Sequence, residues 1–208
     1  MIYDLNKSTF DAFEYDVVII GSGPAGISCA LKFIRDDLKI AVVEGGGEDY
    51  PLQASEPYKG DTIGDKYFDL QFARLRFFGG TSNHWSGWCR PLDTHDFEYK
   101  THQKTASWPI SKSDLDPYLP EASEILEVNS NYDDQIISNE FGIKKISFNF
   151  SPPVRFGQKY KKIFNGRNLD LFLNSSLVDF VKNDNKLQIG VFKSFSGNLL
   201  NIKSKAFV

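Results

Sequence analysis

Residues Tyr15 to Ile20 (YDVVII) run without interruption into Gly21-Ser22-Gly23-Pro24-Ala25-Gly26, and this junction constrains the chain more than any other feature. A short β-branched apolar run ending at a glycine reads as a buried strand rather than a helix. Pro24 stands where a first helical residue belongs, and Ile27, Ala30, Leu31 and Ile34 follow at helical spacing. A second apolar run, Ile40 to Val43, closes a βαβ unit, whose strands lie parallel and whose crossover is right-handed. The hexapeptide matches GxGxxG in the strand-to-helix setting that gives the pattern its meaning. Gly21 permits the tight turn, Gly23 leaves room for a pyrophosphate to approach the backbone, and Gly26 lets the helix pack on the strand. Unpaired N–H groups and the positive dipole end at the helix start favour an anion there. Glu44 ends the second strand 23 positions after Gly21, with Gly45 beside it. An acid about 20 residues on takes the ribose hydroxyls of an adenosine and disfavours a 2′-phosphate. A tight turn without a ligand is the alternative for the glycines, and a solvated acid at a strand end is the alternative for Glu44.

The chain of 208 residues has room for one well-buried core plus a smaller appendage. With 41% hydrophobic and 25% charged residues it has the composition of a folded globular protein rather than a disordered one. A formal charge of −3 gives no basic face for nucleic acid. The segment 1–14 lacks the basic start and apolar core of a secretory signal, and no apolar run approaches the roughly 20 residues that span a bilayer, so a cytoplasmic setting is the default expectation. Cys29 and Cys89 are far apart, in no CxxC or Cys/His cluster, so neither a disulfide framework nor a metal site is expected.

Residues 1–14 read as an N-terminal extension and 15–208 as one domain, with a core at 15–50 and 165–208 and an excursion over 51–164. Within the excursion, Ser113 with Asp116 three residues on predicts a helix starting at about 113, followed by apolar Leu115, Leu119, Ala122 and Leu126. From Leu169 onward, short apolar runs separated by Asn183-Asp184-Asn185 and Ser196-Gly197-Asn198 predict one more parallel strand and then an antiparallel β-meander. Ala206-Phe207-Val208 reads as the opening of another strand, and the fold is therefore expected to be C-terminally incomplete.

A second motif, Arg76-Phe77-Phe78-Gly79-Gly80-Thr81-Ser82-Asn83-His84-Trp85-Ser86-Gly87, packs paired glycines, hydroxyls, an amide and an imidazole into one loop. Such a loop can lie against a ring system, the glycines allowing close approach and Thr81, Ser82, Asn83 and His84 offering hydrogen bonds; the same composition also suits a turn with no ligand. The strand-glycine-helix block with Glu44, the GGTSNHWSG block at 79–87, and Trp108-Pro109-Ile110 followed by DLDPYLPEASEIL together resemble the glucose-methanol-choline (GMC) oxidoreductases, in particular the branch of pyranose oxidase and related sugar dehydrogenases. The resemblance runs through most of the chain. It implies an α/β, Rossmann-like FAD-binding domain, with the pyrophosphate of FAD on Gly21, Ser22, Gly23, Pro24, Ala25 and Gly26. It implies the adenosine ribose on Glu44 and Gly45, and the segment Gly79, Gly80, Thr81, Asn83 and His84 beside the flavin. It also implies a backbone contact from Leu177 to the adenine.

In pyranose oxidase a histidine of a Ser-Thr-His-Trp motif carries the flavin covalently. The matching segment here is Ser82-Asn83-His84-Trp85, with Asn in place of Thr, so a covalent bond at His84 and a hydrogen-bonding or packing role near the ring both stand. His95 and His102 lie in a polar stretch and read as surface residues. The family oxidises alcohols, a base taking the hydroxyl proton while hydride passes to the flavin. That base is a histidine near the C-terminus, on a substrate domain, and no residue of this sequence matches it. The expected partners are a sugar or related alcohol and an electron acceptor such as oxygen, a quinone or a redox protein. The alternatives are a flavoenzyme of another class, such as amine or succinate oxidation, and a non-catalytic FAD-binding module.

Overall fold

The computed structural model describes residues 1–50, 52–99, 107–184 and 186–208. Among these the strands are, in chain order, β1 (Ile2–Asp4), β2 (Phe13–Ile20), β3 (Ile40–Val43), β4 (Trp88–Cys89), β5 (Gln135–Ser138), β6 (Ile143–Lys145), β7 (Asn149–Phe150), β8 (Leu169–Leu173), β9 (Ser176–Asn183), β10 (Lys186–Lys193) and β11 (Leu199–Phe207). They belong to two compact units, one formed by Met1–His84 with Arg155–Val208 and the other by Trp85–Val154.

The first unit is built on a seven-stranded sheet in the order β1-β8-β3-β2-β11-β10-β9. The strands from β1 to β11 pair in parallel, and β11, β10 and β9 pair antiparallel as a meander. Helix α1 (Pro24–Phe33) joins β2 to β3, with Gly23 as its N-cap and Pro24 at its first position, where a missing N–H costs nothing. All four residues of β3 and all five of β8 are buried, as expected of central strands covered on both faces. One core cluster gathers Tyr15, Val18, Ala41, Val43, Phe172, Phe192, Leu200 and Ile202.

Two features depart from the sequence reading. Residues 1–14, read as an extension, supply the edge strand β1 and part of this core: Leu5 is fully buried, and the Tyr3 ring stacks on Phe172 with centroids 4.9 Å apart. Their apolar residues are scattered without a period, so the sequence carried no sign of the burial. Ala206 and Phe207, read as opening a further strand, continue β11 and pair with Val17 and Val18 of β2.

In the second unit, β4 pairs with β7 and β5 with β6, both antiparallel. The helix expected from about 113 begins one residue earlier, over Lys112–Leu115, because Ser111, two residues before Ser113, is the N-cap and its backbone N–H donates to Asp114 Oδ2 at 2.8 Å in a reciprocal capping box. Asp116, taken as the box acid, instead pairs with Lys112. A 3₁₀ turn at Asp116–Tyr118 then leads into a second helix over Leu119–Leu126.

A charged cluster ties this unit together. Arg90 donates to Asp134 at 2.7 and 2.9 Å, Lys144 lies 2.9 Å from the same carboxylate, and the Ser147 N–H donates to it at 2.9 Å. Arg90 above all, then Lys144 and the Ser147 N–H, hold the Asp134 carboxyl far below the usual carboxylate range. A carboxyl depressed in the folded state contributes stability above its unfolded value of about 3.9 and loses that contribution as pH falls. Asp134→Asn is therefore expected to lower the melting temperature at neutral pH, and the difference from wild type is expected to shrink as the pH is taken below about 4. Melts followed by circular dichroism test this; coincident curves at every pH would refute it.

Candidate nucleotide site

The strand-glycine-helix turn and the second motif, far apart in sequence, form one wall. The Gly79 N–H donates to Ser22 O at 3.2 Å and to Ser22 Oγ at 3.3 Å, and a Cβ added to Gly80 would lie 3.0 Å from Gly23 Cα. Ser22 is fully buried at this junction. Its N–H and hydroxyl both donate to Glu44 Oε2, at 3.0 and 2.7 Å, while the Gly46 N–H donates to Glu44 Oε1 at 2.8 Å. Glu44 thereby fastens the glycine turn to the end of β3. Its Oε1 retains acceptor capacity, since a carboxylate oxygen can accept about two hydrogen bonds.

A cavity of about 380 Å³ opens against this wall. Gly21, Gly23, Pro24, Glu44, Gly45, Gly80, Thr81, Ser82 and Leu177 line it, so the turn, the acid, the paired-glycine loop and the start of β9 converge on one space. Gly21 adopts φ +107°, a left-handed conformation that favours glycine. Open space lies where a Cβ on Gly23 would stand.

The other residues singled out in the sequence do not line the cavity. Gly26 packs α1 on the turn, where a Cβ would lie 1.9 Å from Gly21 O. Ala25 is exposed in the first turn of α1. Gly79 and Asn83 brace the loop: Asn83 Nδ2 donates to Phe78 O at 2.9 Å and to Gly80 O at 3.0 Å, so this amide is turned inward. Ser82 does line the cavity but commits its hydroxyl to the protein: Oγ donates to Gly79 O at 2.7 Å and accepts from the Phe156 N–H at 3.2 Å. His84 is exposed, its ring edge-on to Phe77 with centroids 6.5 Å apart. His95 is exposed as well, whereas His102 lies outside the described residues.

Tyr58, Arg74, Leu75, Ser175 and Ser176 line the cavity without having been singled out from sequence, and Arg76, which opens the second motif, was given no ligand role. Arg74 lies over the Tyr58 ring, 5.1 Å from its centroid. The Arg76 guanidinium donates through Nη2 to Ser176 Oγ at 2.7 Å, and its Nη1 is buried without a hydrogen-bond partner. A cation three residues before paired glycines was the available signal for Arg76, and Ser176 is the neighbour of Leu177; nothing local marked Tyr58. Among the described residues, no group of three or more His, Cys, Asp or Glu could hold a metal, and no helix is long and apolar enough to cross a membrane. Cys29 and Cys89 are free thiols.

The Pyridine nucleotide-disulphide oxidoreductase family matches residues 15–68. A 2-methyl-1,2-propanediol dehydrogenase from Mycolicibacterium austroafricanum is 25% identical over 171 residues, covering 72% of this chain and 30% of that protein. Mycobacterium smegmatis Sdh1 in its apo form superposes with a TM-score of 0.58 at 11% identity, over 95% of this chain and 34% of that one. A flavocytochrome c3 fumarate reductase gives 0.54 at 15% identity, over 94% and 33%. Formate oxidase from Aspergillus oryzae RIB40, a protein studied for modification of its FAD, gives 0.52 at 16% identity, over 94% and 45%. The chain thus spans about a third of the length of the curated relative it matches. Its fold is an α/β, Rossmann-like FAD-binding fold with a mixed sheet and a βαβ start, and FAD is the cofactor that this fold takes.

Proposed function

We propose that this chain is the FAD-binding part of a flavin-dependent oxidoreductase acting on the CH–OH group of a sugar or related alcohol. The observation that carries the reading is the single cavity onto which Gly21, Gly23, Glu44, Gly80, Thr81 and Leu177 converge. Three features of that cavity fit FAD: the open face of Gly23 for a pyrophosphate, a carboxylate with a free acceptor site for ribose hydroxyls, and the Arg76 guanidinium, which is paired with a neutral hydroxyl. In this reading Gly21 to Gly26 hold the pyrophosphate, Glu44 and Gly45 the adenosine ribose, and Leu177 the adenine, with Gly79 to His84 toward the flavin. Bound FAD would supply a hydride acceptor. The GGTSNHWSG block and the likeness to a diol dehydrogenase favour alcohol as the donor. No residue of the cavity is assigned as the base for the hydroxyl proton, and the 208-residue chain by itself is expected to bind FAD without turning over.

A second reading is a flavoenzyme of the succinate type, which the likeness in fold to a fumarate reductase favours. Titrating the purified chain with FAD tests the shared premise: a yellow protein with bound flavin is expected, and failure to take up FAD would remove both readings. Adding a diol or sugar, and separately succinate, to the flavin-loaded chain then separates them by which donor perturbs the bound-flavin spectrum. Steady alcohol-dependent dye reduction would contradict the expectation that the chain by itself does not turn over. Acid precipitation decides the role of His84. Its exposed ring, outside the cavity lining, favours colour that is released with the supernatant; colour retained in the pellet would establish a covalent bond.

A further inference from the structure

We propose that Arg76 is a second anion anchor of the nucleotide site, pairing through its guanidinium with a phosphate oxygen of the ADP moiety opposite the glycine turn. The inference rests on the FAD-binding reading above and adds a residue to it. The guanidinium lies between the end of β3 and the start of β9: a Cβ added to Gly45 would meet Arg76 Nη2 at 2.3 Å, and Nη2 donates to Ser176 Oγ at 2.7 Å. Gly45 is therefore the residue that lets the guanidinium pass. The plane also faces the Phe195 ring, its central carbon 5.9 Å from the ring centroid.

What this arrangement leaves unsatisfied identifies the ligand chemistry. Arg76 is permanently charged, yet its one hydrogen-bond partner among the described residues is a neutral hydroxyl, and no carboxylate lies within ion-pair distance. The carboxylate in the same cavity, Glu44, is held by Ser22 and Gly46. Arg76 is half-buried, and a partly desolvated cation without a counter-charge is costly. A phosphate in the cavity supplies that counter-charge, through a charge-assisted hydrogen bond from a guanidinium already held in place by Ser176. The cavity supplies the opposing surface in Gly21 and Gly23, so an anion seated there would be held from the turn on one side and from Arg76 on the other.

The test is calorimetric titration of the purified chain and of Arg76→Ala and Arg76→Lys with FAD, ADP, 5′-AMP, 2′-AMP and adenosine. Arg76→Ala is expected to weaken ADP and FAD by roughly 10- to 100-fold, and to leave adenosine unchanged. Arg76→Lys is expected to recover part of the loss, because it keeps the charge but not the rigid fork. Equal loss for adenosine and ADP would assign Arg76 to the nucleoside instead, and loss confined to 2′-AMP would place it at the ribose edge; either overturns the proposal. So would unchanged ADP affinity in Arg76→Ala. A wild-type chain that binds neither FAD nor ADP would instead refute the FAD-binding reading itself. Circular dichroism melts of each variant separate a lost contact from a lost fold, with Arg76→Lys as the variant least disturbed in volume.

Discussion

Gly23→Val is expected to fold and melt close to the wild-type chain while its affinity for FAD falls about 100-fold or more, equivalent to about 3 kcal/mol. The two outcomes separate because the position is crowded only by the ligand. Gly23 is the N-cap of α1 with φ −71° and ψ −176°, an extended conformation open to any residue, and no protein atom lies within 4 Å of where its Cβ would stand. Replacing an N-cap glycine by a β-branched residue costs helix stability about 1 kcal/mol at most, which leaves most of the fold's stability intact. The same open space faces the cavity, so the valine methyl groups would occupy the volume a pyrophosphate requires. Equal flavin content in wild type and Gly23→Val, measured by the visible spectrum after FAD loading, would dismiss the pyrophosphate assignment. His95→Ala, on an exposed side chain, is the matched control and is expected to leave FAD binding unchanged.

Gly26→Ala is expected to do the reverse, damaging the fold before any ligand is added. Alanine in place of glycine inside a helix ordinarily gains about 1 kcal/mol. Here the added methyl would lie 1.9 Å from Gly21 O and 3.3 Å from Ile19 Cγ2, closer to a backbone carbonyl than any real Cβ approaches. Helix α1 must then lift from β2, where Ile27 and Ala30 are fully buried, and overpacking of this kind costs roughly 1 to 3 kcal/mol and sometimes more. The clash outweighs the propensity gain, and a melting temperature lowered by several degrees is the expected result. A variant more stable than wild type would show that the helix can shift without loss, and the close-packing role of Gly26 would fall.

These two glycines, three residues apart in one hexapeptide, show how far the sequence reaches. The pattern located both, and the setting between an apolar strand and a proline-started helix distinguished them. The fates of the other motif residues required the folded chain. Thr81, Ser82 and Asn83 each offered a side-chain hydrogen-bonding group, yet Asn83 turns its amide back to Phe78 and Gly80, and Ser82 commits its hydroxyl to Gly79 and Phe156 although it lines the cavity with Thr81. Sequence gives each polar side chain its capacity, and only the path of the loop decides which partner meets it. The helix near 113 shows the same limit on a smaller scale: two serines two residues apart are equally good caps, and the acid at Asp114 selects Ser111 once the backbone is placed.

The sequence by itself determined the βαβ start, the meander and the glycines of the turn, because each rests on contacts between near neighbours whose burial leaves a period of 2 or 3.6 in the residues. Tertiary structure alone decided that Tyr3 and Leu5 enter the core beside Phe172, that β1 takes the sheet edge, and that Arg76 meets Ser176 across the cavity. Those pairings join positions as much as 169 apart, and they are fixed by sheet order and side-chain packing rather than by any local pattern.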